Sequence, residues 1–566
     1  MVNLTHEQGS IVDRARRRES FKVQALAGTG KTFTMTQIAM ALPNLKGRYL
    51  AFNKAIVQDA QAKFRAAGGN VKASTMHSLA FAQVGRLFAH RLEGGEAGKL
   101  SPIRLRHHYD YKQIGQLSPL SRAGMVKATL STFLNDDAPE LGREHLPLDH
   151  MHLMATRQQW SQADRAAIEE TLLSDAKTLW QDVLSEGSGL PFPHDAYVRL
   201  FVDSNPQIPV DFLMVDEAQD TSRLFLKFLR QQQAQLIIVG DPNQQIYQWR
   251  GAEDVLEKLD DLPTEYLSTS FRFGNPIAGA ANEVLRDLGS PILMRGHDTD
   301  RRALTSRALL YRTNAGVFTA LMKRGLGPEK KKIFVQGGVA ELRQMLDAVE
   351  QLQLGASTTH PDFIGYRDWA HVNEAAEAYA APQEIRLVVK VVNEFPITLL
   401  RNALEEAKDI KREEADIVAS TAHKAKGLEF AEVGVGSDYT LPMSNPLLED
   451  IPIRDEEKRL MYVTLTRAQR QLFGAKDMVK AFSERNRITD AVNAVAGESA
   501  EVRVRTKIEL SPLIFKSEEL ANTFVDKLPE DELTAFSKVA RESLAKAHAN
   551  EQKKVQAILK SPAPNM

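Results

Sequence analysis

At 566 residues the chain is long enough for several domains, and a hydrophobic share of 43% is ample for buried cores. Its 72 basic and 73 acidic side chains leave a net charge of -1, so no global field draws in nucleic acid and any such contact needs a local basic groove. The absence of cysteine excludes disulfides, thiolate metal sites and cysteine nucleophiles.

The N-terminus MVNLTHEQGS has no apolar signal core, and no run of eighteen apolar residues occurs. We therefore expect a cytoplasmic protein of prokaryotic or phage type with no membrane association. The basic run Arg14 to Arg18 fits an exposed helix face. Phe21 to Leu26 reads as a strand and leads into Ala27-Gly-Thr-Gly-Lys-Thr32. Backbone N–H groups of such a turn (Ala27, Gly28, Thr29, Gly30) point inward to cradle phosphates, and the dipole of the next helix assists. Lys31 reaches the β- and γ-phosphates and the Thr32 hydroxyl sits on Mg²⁺. The full phosphate-loop pattern has glycine where this chain has Ala25.

Gly47 to Phe52 is a second strand-like run, and the stretch from His77 to Asp211 is rich in helix formers, so we expect a helical insertion there. Within it, Asp110-Tyr-Lys112 has no supporting carboxylates for nuclease chemistry, and His107-His108 has no partner at metal-ligand spacing. Phe212 to Val215 then delivers Asp216 and Glu217 at a strand end. Asp216 can hold the metal through water, and Glu217 can polarise an attacking water. ATP hydrolysis is the first chemical reading.

The run Leu236 to Val239 precedes Gly240-Asp-Pro-Asn-Gln-Gln-Ile-Tyr-Gln-Trp-Arg-Gly-Ala252. Here Gln244 is placed to sense the γ-phosphate. Tyr247 and Trp249 offer flat faces beside Arg250, and stacking on unpaired bases is worth about 1–3 kcal/mol per base. A core position is the structural alternative for Trp249. Leu267-Ser-Thr-Ser-Phe-Arg-Phe-Gly274 and Tyr462-Val-Thr-Leu-Thr-Arg-Ala468 each place one arginine in a polar turn. A guanidinium on a transferring phosphoryl group speeds hydrolysis by about 10³–10⁵. Both arginines lie far from the phosphate loop in sequence, so they would report closure of a cleft between two domains. A second α/β set is expected at Ala303 to Tyr311, Ile333 to Gln336, Ile417 to Thr421 and Glu432 to Gly436. Thr421-Ala-His-Lys-Ala-Lys-Gly-Leu-Glu-Phe430 suits phosphate-backbone or ribose contacts, and beyond about residue 500 the chain is Lys/Glu-rich.

These motifs, in this order from about residue 4 to about 475, resemble the superfamily 1 DNA helicases of the UvrD/Rep type. Phe271-Arg-Phe-Gly274 and the short insertions resemble most closely the helicase portion of the F-box DNA helicase subgroup, and we expect no F-box. The resemblance implies an α/β fold of two RecA-like P-loop domains with parallel sheets, each with a mainly helical insertion, plus a C-terminal tail. It divides the chain into a first RecA-like domain at 1–80 and 190–268, with an insertion at 81–189. A second follows at 269–350 and 411–495, with a short accessory insertion at 351–410 and an extension at 496–566.

By the same resemblance, Gln8 reads adenine, Phe271 stacks on it, Arg272 and Arg467 are arginine fingers, and Glu429 lies near the ribose. Lys31, Asp216, Glu217 and Gln244 complete the catalytic set, with Thr32 and Asp216 on Mg²⁺. Phe33 replaces a common adenosine-contacting arginine. Single-stranded DNA falls to Phe52, Asn53, Thr75, His77, Tyr247, Trp249, Arg250 and His423, although Phe52 departs from the family spacing. The implied function is ATP-dependent, 3′–5′ translocation on single-stranded DNA that separates duplexes in repair, recombination or replication. The alternatives are a nucleotide switch, an RNA helicase, or a motor subunit of a larger repair or defence complex that uses the Lys-rich tail to hold a protein partner.

Overall fold

The computed structural model describes residues 4–51, 54–93, 100–247, 252–253, 255–297, 306–325, 330–377, 383–449, 452–511 and 518–560. Two all-parallel sheets organise them. The first contains β1 (Phe21–Ala25), β2 (Gly47–Leu50), β3 (Val71–Ser74), β4 (Phe212–Val215), β5 (Gln235–Gly240) and β6 (Thr264–Leu267), in the order β3-β2-β4-β5-β1-β6. The second contains β7 (Arg307–Tyr311), β8 (Ile333–Val335), β9 (Ile417–Thr421), β10 (Phe430–Val435) and β11 (Ala468–Phe473), in the order β8-β9-β7-β10-β11.

Both faces of the first sheet are covered, which is why its central strands β4 and β5 read as apolar runs. Phe212, Met214, Ile237 and Val239 pack with the N-terminal helices, among Ile11, Met35 and Ile38. Their neighbours Leu213, Val215, Leu236 and Ile238 face the opposite way, into a core shared with the helices Pro119–Asn135, Gln162–Leu184 and His194–Asp203. The period-2 alternation of side chains thus distributes one sheet between two cores.

The expected runs Phe212 to Val215 and Ile417 to Thr421 coincide with β4 and β9. In these two sheets three strands lacked a signal in sequence, namely β3, β6 and β11, and each lies at an edge of its sheet. Their sequences mix polar or charged residues with apolar ones and carry no continuous apolar run, whereas the fourth edge, β8, is Ile-Phe-Val and coincides with the expected run Ile333 to Gln336. The stretch between His77 and Asp211 is helical as expected, ending at β4.

Within the second sheet's unit the helices Ala340–Gln353, Trp369–Glu377, Gln383–Glu394 and Ile397–Lys408 form a small accessory cluster around Leu346, Phe363 and Leu400. The two insertions touch where Arg157 stands 4.0 Å from the centroid of the Tyr366 ring and donates to the Ile364 carbonyl at 2.7 Å. After the second sheet, helices Ala500–Leu510, Glu518–Asp526 and Glu530–Lys560 pack onto Leu448, with the buried Glu532 carboxylate held by Lys507 and Arg503. Among the described residues no helix is long and apolar enough to cross a membrane.

Candidate nucleotide-binding cleft

Strands β4, β5 and β1 are consecutive in the first sheet, so their carboxyl ends present three loops side by side. Crevices of this kind are where open parallel sheets bind ligands. The phosphate loop follows β1, Asp216 and Glu217 follow β4, and Asp241 follows β5. Gly28 and Gly30 adopt φ of +76° and +80°, a left-handed conformation that favours glycine. At Gly28 space forbids a side chain as well, because a Cβ there would lie 2.6 Å from both Arg272 Cβ and Ser270 Oγ. The segment carrying Arg272 is therefore laid directly against the phosphate loop, and Phe271 N–H donates to the Gly28 carbonyl at 2.8 Å.

The acidic loop is equally constrained. Glu217 adopts φ +55°, unusual for a side chain of its size, and its N–H donates to Asp216 Oδ1 at 2.9 Å. Lys31 Nζ lies 3.2 Å from Glu217 Oε1, while the Tyr49 hydroxyl donates to Asp216 Oδ2 at 2.6 Å. Burial would lower the Lys31 ammonium, but Glu217, Asp216 and Asp241 outweigh it and raise it. Burial raises the Asp216 carboxyl, and the adjacent Glu217 charge adds to this. Burial pushes Glu217 the same way, yet Lys31 and then Lys426 prevail and hold it well below the usual carboxylate range. The two carboxyls are thus separated in acidity by their cation contacts, with Glu217 the more firmly ionised.

The second lobe contributes the opposite wall. Arg467, 1% exposed, donates from Nη2 to Gln244 Oε1 at 3.1 Å and from Nε to the Val463 carbonyl at 3.0 Å. Burial, then the nearby Arg272 charge, pushes its guanidinium down to about 9, which leaves it charged at neutral pH. Arg272 pairs with Glu429 at 2.7 Å and donates to the Thr466 carbonyl at 2.9 Å; Gln469 donates to the other Glu429 oxygen at 2.6 Å. Lys426 joins the lobes by bonding the Asp220 carboxylate and, at 2.6 Å, the Gln244 carbonyl. Leu26, Ala27 and Ile246 belong to the same apolar core as Phe273, Met461 and Tyr462, so the lobes are also continuous through packing.

Lys31, Asp216, Glu217, Asp220, Gln244, Arg272, Lys426, Glu429, Arg467 and Gln469 line one cavity of ≈ 730 Å³, together with Thr29, Thr32, Phe33, Asp59, Lys63 and Tyr247. Phe271, 38% exposed, offers its ring at one end. Gln8 is buried beside Gly30, with Nε2 only 3.4 Å from where a Gly30 Cβ would sit. Its orientation is set by a capping box, since Gln8 N–H donates to Thr5 Oγ1 and Gln8 Oε1 accepts from Thr5 N–H. The donor set fits a nucleoside triphosphate with Mg²⁺: backbone amides and a lysine for phosphate, a hydroxyl and a carboxylate for the metal, and an aromatic face with an amide for a purine. Among the described residues no cluster of three or more His, Asp or Glu side chains could hold a metal ion by itself. A cation that keeps waters and takes oxygens from its phosphate ligand needs no such cluster.

One expected contact is displaced. Ala27 directs its N–H to the Tyr462 hydroxyl at 3.0 Å, away from the phosphate side of the loop. Of the residues expected on DNA, Phe52, Asn53, Trp249 and Arg250 lie outside the described residues. Thr75 uses its hydroxyl as the N-cap of the helix Met76–Gln83, and the exposed His77 meets Asp195 at 3.0 Å. Tyr247 reaches across to the second lobe, donating to the His423 carbonyl at 3.2 Å, with Lys426 Nζ 5.1 Å from its ring centroid. Sequence reasoning gave no role to Gln219, Asp220, Asp241 or Tyr462, and read Lys426 only within a motif suited to phosphate-backbone or ribose contacts. Asp241 did carry a usable signal, an acidic residue just past an apolar strand, as at Asp216.

Residues 8–250 match the AAA domain family and residues 370–476 match the UvrD-like helicase C-terminal domain family. The chain is 28% identical to F-box DNA helicase 1 of Gallus gallus, over 84% of this chain and 49% of the relative. It is 27% identical to F-box DNA helicase protein 1 of Schizosaccharomyces pombe, over 85% and 58% respectively. Similarity to the ATP-dependent DNA helicase PcrA of Bacillus subtilis is 23%, over 54% of this chain and 61% of that protein. The chain thus spans between about half and three fifths of the length of these relatives.

Proposed function

We propose, for a chain that belongs to the UvrD/Rep-type superfamily 1 helicases and is related to their F-box DNA helicase subgroup, an ATP-driven motor that moves 3′ to 5′ on single-stranded DNA and separates duplexes. Repair, recombination or replication is the setting that suits such a motor. One observation carries the reading. Lys31, Glu217, Arg272 and Arg467 come from both lobes and line a single cavity.

In this cleft Lys31 and the loop amides bind phosphate, while Glu217 orients and polarises the attacking water. Mg²⁺, held by the Thr32 hydroxyl and Asp216, would neutralise charge on the phosphates. Gln244 passes the state of that centre to Arg467, and Arg272 reaches it from beside the phosphate loop. Phe271 and Gln8 hold the purine. Because Tyr247 bridges to His423, a change in lobe spacing alters the distance between two residues that the family resemblance assigns to DNA.

The test is separation of duplexes bearing 3′ or 5′ single-stranded tails, with and without ATP. ATP-dependent separation of the 3′-tailed substrate is expected. DNA-stimulated hydrolysis without separation of either would favour a nucleotide switch or a motor subunit with little unwinding of its own.

A further inference from the structure

We infer that Tyr462 is a positioning residue that ties docking of the second lobe to the shape of the phosphate loop, with Asp241 as its partner. The ring lies fully buried in the core common to both lobes. Its hydroxyl bonds two groups of the first lobe: it accepts from Ala27 N–H at 3.0 Å and donates to Asp241 Oδ2 at 3.1 Å. Burial, reinforced by Asp241, keeps the phenol protonated and able to donate.

The Asp241 carboxylate is a junction. The oxygen that accepts the Tyr462 hydrogen bond also accepts from Gln244 Nε2 at 2.6 Å, and Gln244 Oε1 is held by Arg467. The backbone N–H of Asp241 donates to Gln219 Oε1 at 2.9 Å, and Gln219 Nε2 donates to Glu217 Oε2 at 2.6 Å. One buried residue therefore joins three parts of the site: its carboxylate meets the amide that bonds Arg467 and, through Tyr462, the rear of the phosphate loop, while its backbone N–H meets the neighbour of Glu217. Tyr462 and Arg467 share one helix end, where Arg467 Nε donates to the Val463 carbonyl. When this element withdraws, the phenol must leave Ala27 and Asp241 as the guanidinium leaves Gln244. The phosphate loop is thus informed of the second lobe from behind, on the face its ligand does not occupy.

The inference rests on reading the cleft as a site of ATP hydrolysis. Tyr462→Phe keeps the ring and removes only the hydroxyl. In the full chain without nucleotide, amide exchange in peptides covering residues 26–32 and 241–245 is expected to quicken about tenfold in both. With saturating single-stranded DNA, kcat for ATP is expected to fall about tenfold while KM stays within about twofold, since the lost contact belongs to the docked state. Asp241→Asn should reproduce the kcat loss, and the double variant should lose no more than the worse single one.

Unchanged exchange at 26–32, a kcat within about twofold of the unmodified chain, or additive losses in the double variant would overturn the inference. So would equal changes in kcat and KM, the mark of general structural damage. If the unmodified chain shows no DNA-stimulated hydrolysis, the motor reading falls, and the exchange comparison still decides this one.

Discussion

Lys31 Nζ and Glu217 Oε1 stand 3.2 Å apart at the ends of β1 and β4, with β5 between them in the sheet. Each neutralises the other in the structure, and an arriving triphosphate must share the lysine. Lys31→Ala is expected to abolish turnover and to leave Glu217 without its main opposing charge. Glu217→Gln should still bind ATP yet turn it over at least about 100-fold more slowly, the usual worth of a positioned base. Equilibrium binding of a fluorescent ATP analogue, set beside phosphate release, separates the two effects. Appreciable hydrolysis by either variant would refute these roles.

Gly28→Ala tests how closely the phosphate loop abuts the Arg272 segment. The new methyl meets Arg272 Cβ and Ser270 Oγ at 2.6 Å, and φ of +76° adds backbone strain. A loss of about 1–3 kcal/mol is expected in denaturant unfolding. A larger fractional loss of ATPase should accompany it, because Arg272 is pushed outward. Wild-type activity in the variant would show that Arg272 need not sit there.

Arg467→Ala removes the group that grips Gln244, Val463 and Leu428 from within the second lobe. Hydrolysis should drop about 10³-fold or more if the guanidinium stabilises the transferring phosphoryl group. Binding of single-stranded oligonucleotide, followed by anisotropy, should stay near that of the unmodified chain. A fall of under tenfold would demote Arg467 to a structural tie.

Asp220 yields a pH prediction. Burial pushes its carboxyl up to about 6 from the ordinary 3.8, with Lys426 opposing. A raised carboxyl means that between these values the folded chain holds more protons than the unfolded one. Its stabilising contribution is therefore complete below the ordinary value and is lost as pH rises through about 6. The thermal midpoint of the unmodified chain relative to Asp220→Asn should decline from about pH 4 to 6 and then level off. A difference that is flat across this window would contradict the assignment.

The central strands were legible because burial on both faces forces a continuous apolar run, as in β4 and β5. The edges β3, β6 and β11 were not, since their mixed polar and apolar composition is shared with loops, while the apolar edge β8 was. The phosphate loop and the acidic pair could be recognised because their chemistry is confined to a few consecutive residues. Convergence of Arg272 and Arg467 was inferred only from their distance along the chain and from a family likeness. The Tyr462–Asp241 bond joins residues 221 positions apart, and the Lys426–Asp220 pair joins residues 206 apart. Nothing local to either partner announces such a bond, so only the fold could supply it.

Gln244 satisfies an anion with one end of its side chain and a cation with the other. A primary amide is suited to that double duty, being a permanent dipole without net charge. Glutamate of the same length would repel Asp241 while gripping Arg467 more tightly, and lysine would do the reverse. The junction between Asp241 and Arg467 is consequently closed by a neutral spacer held by hydrogen bonds of modest net strength.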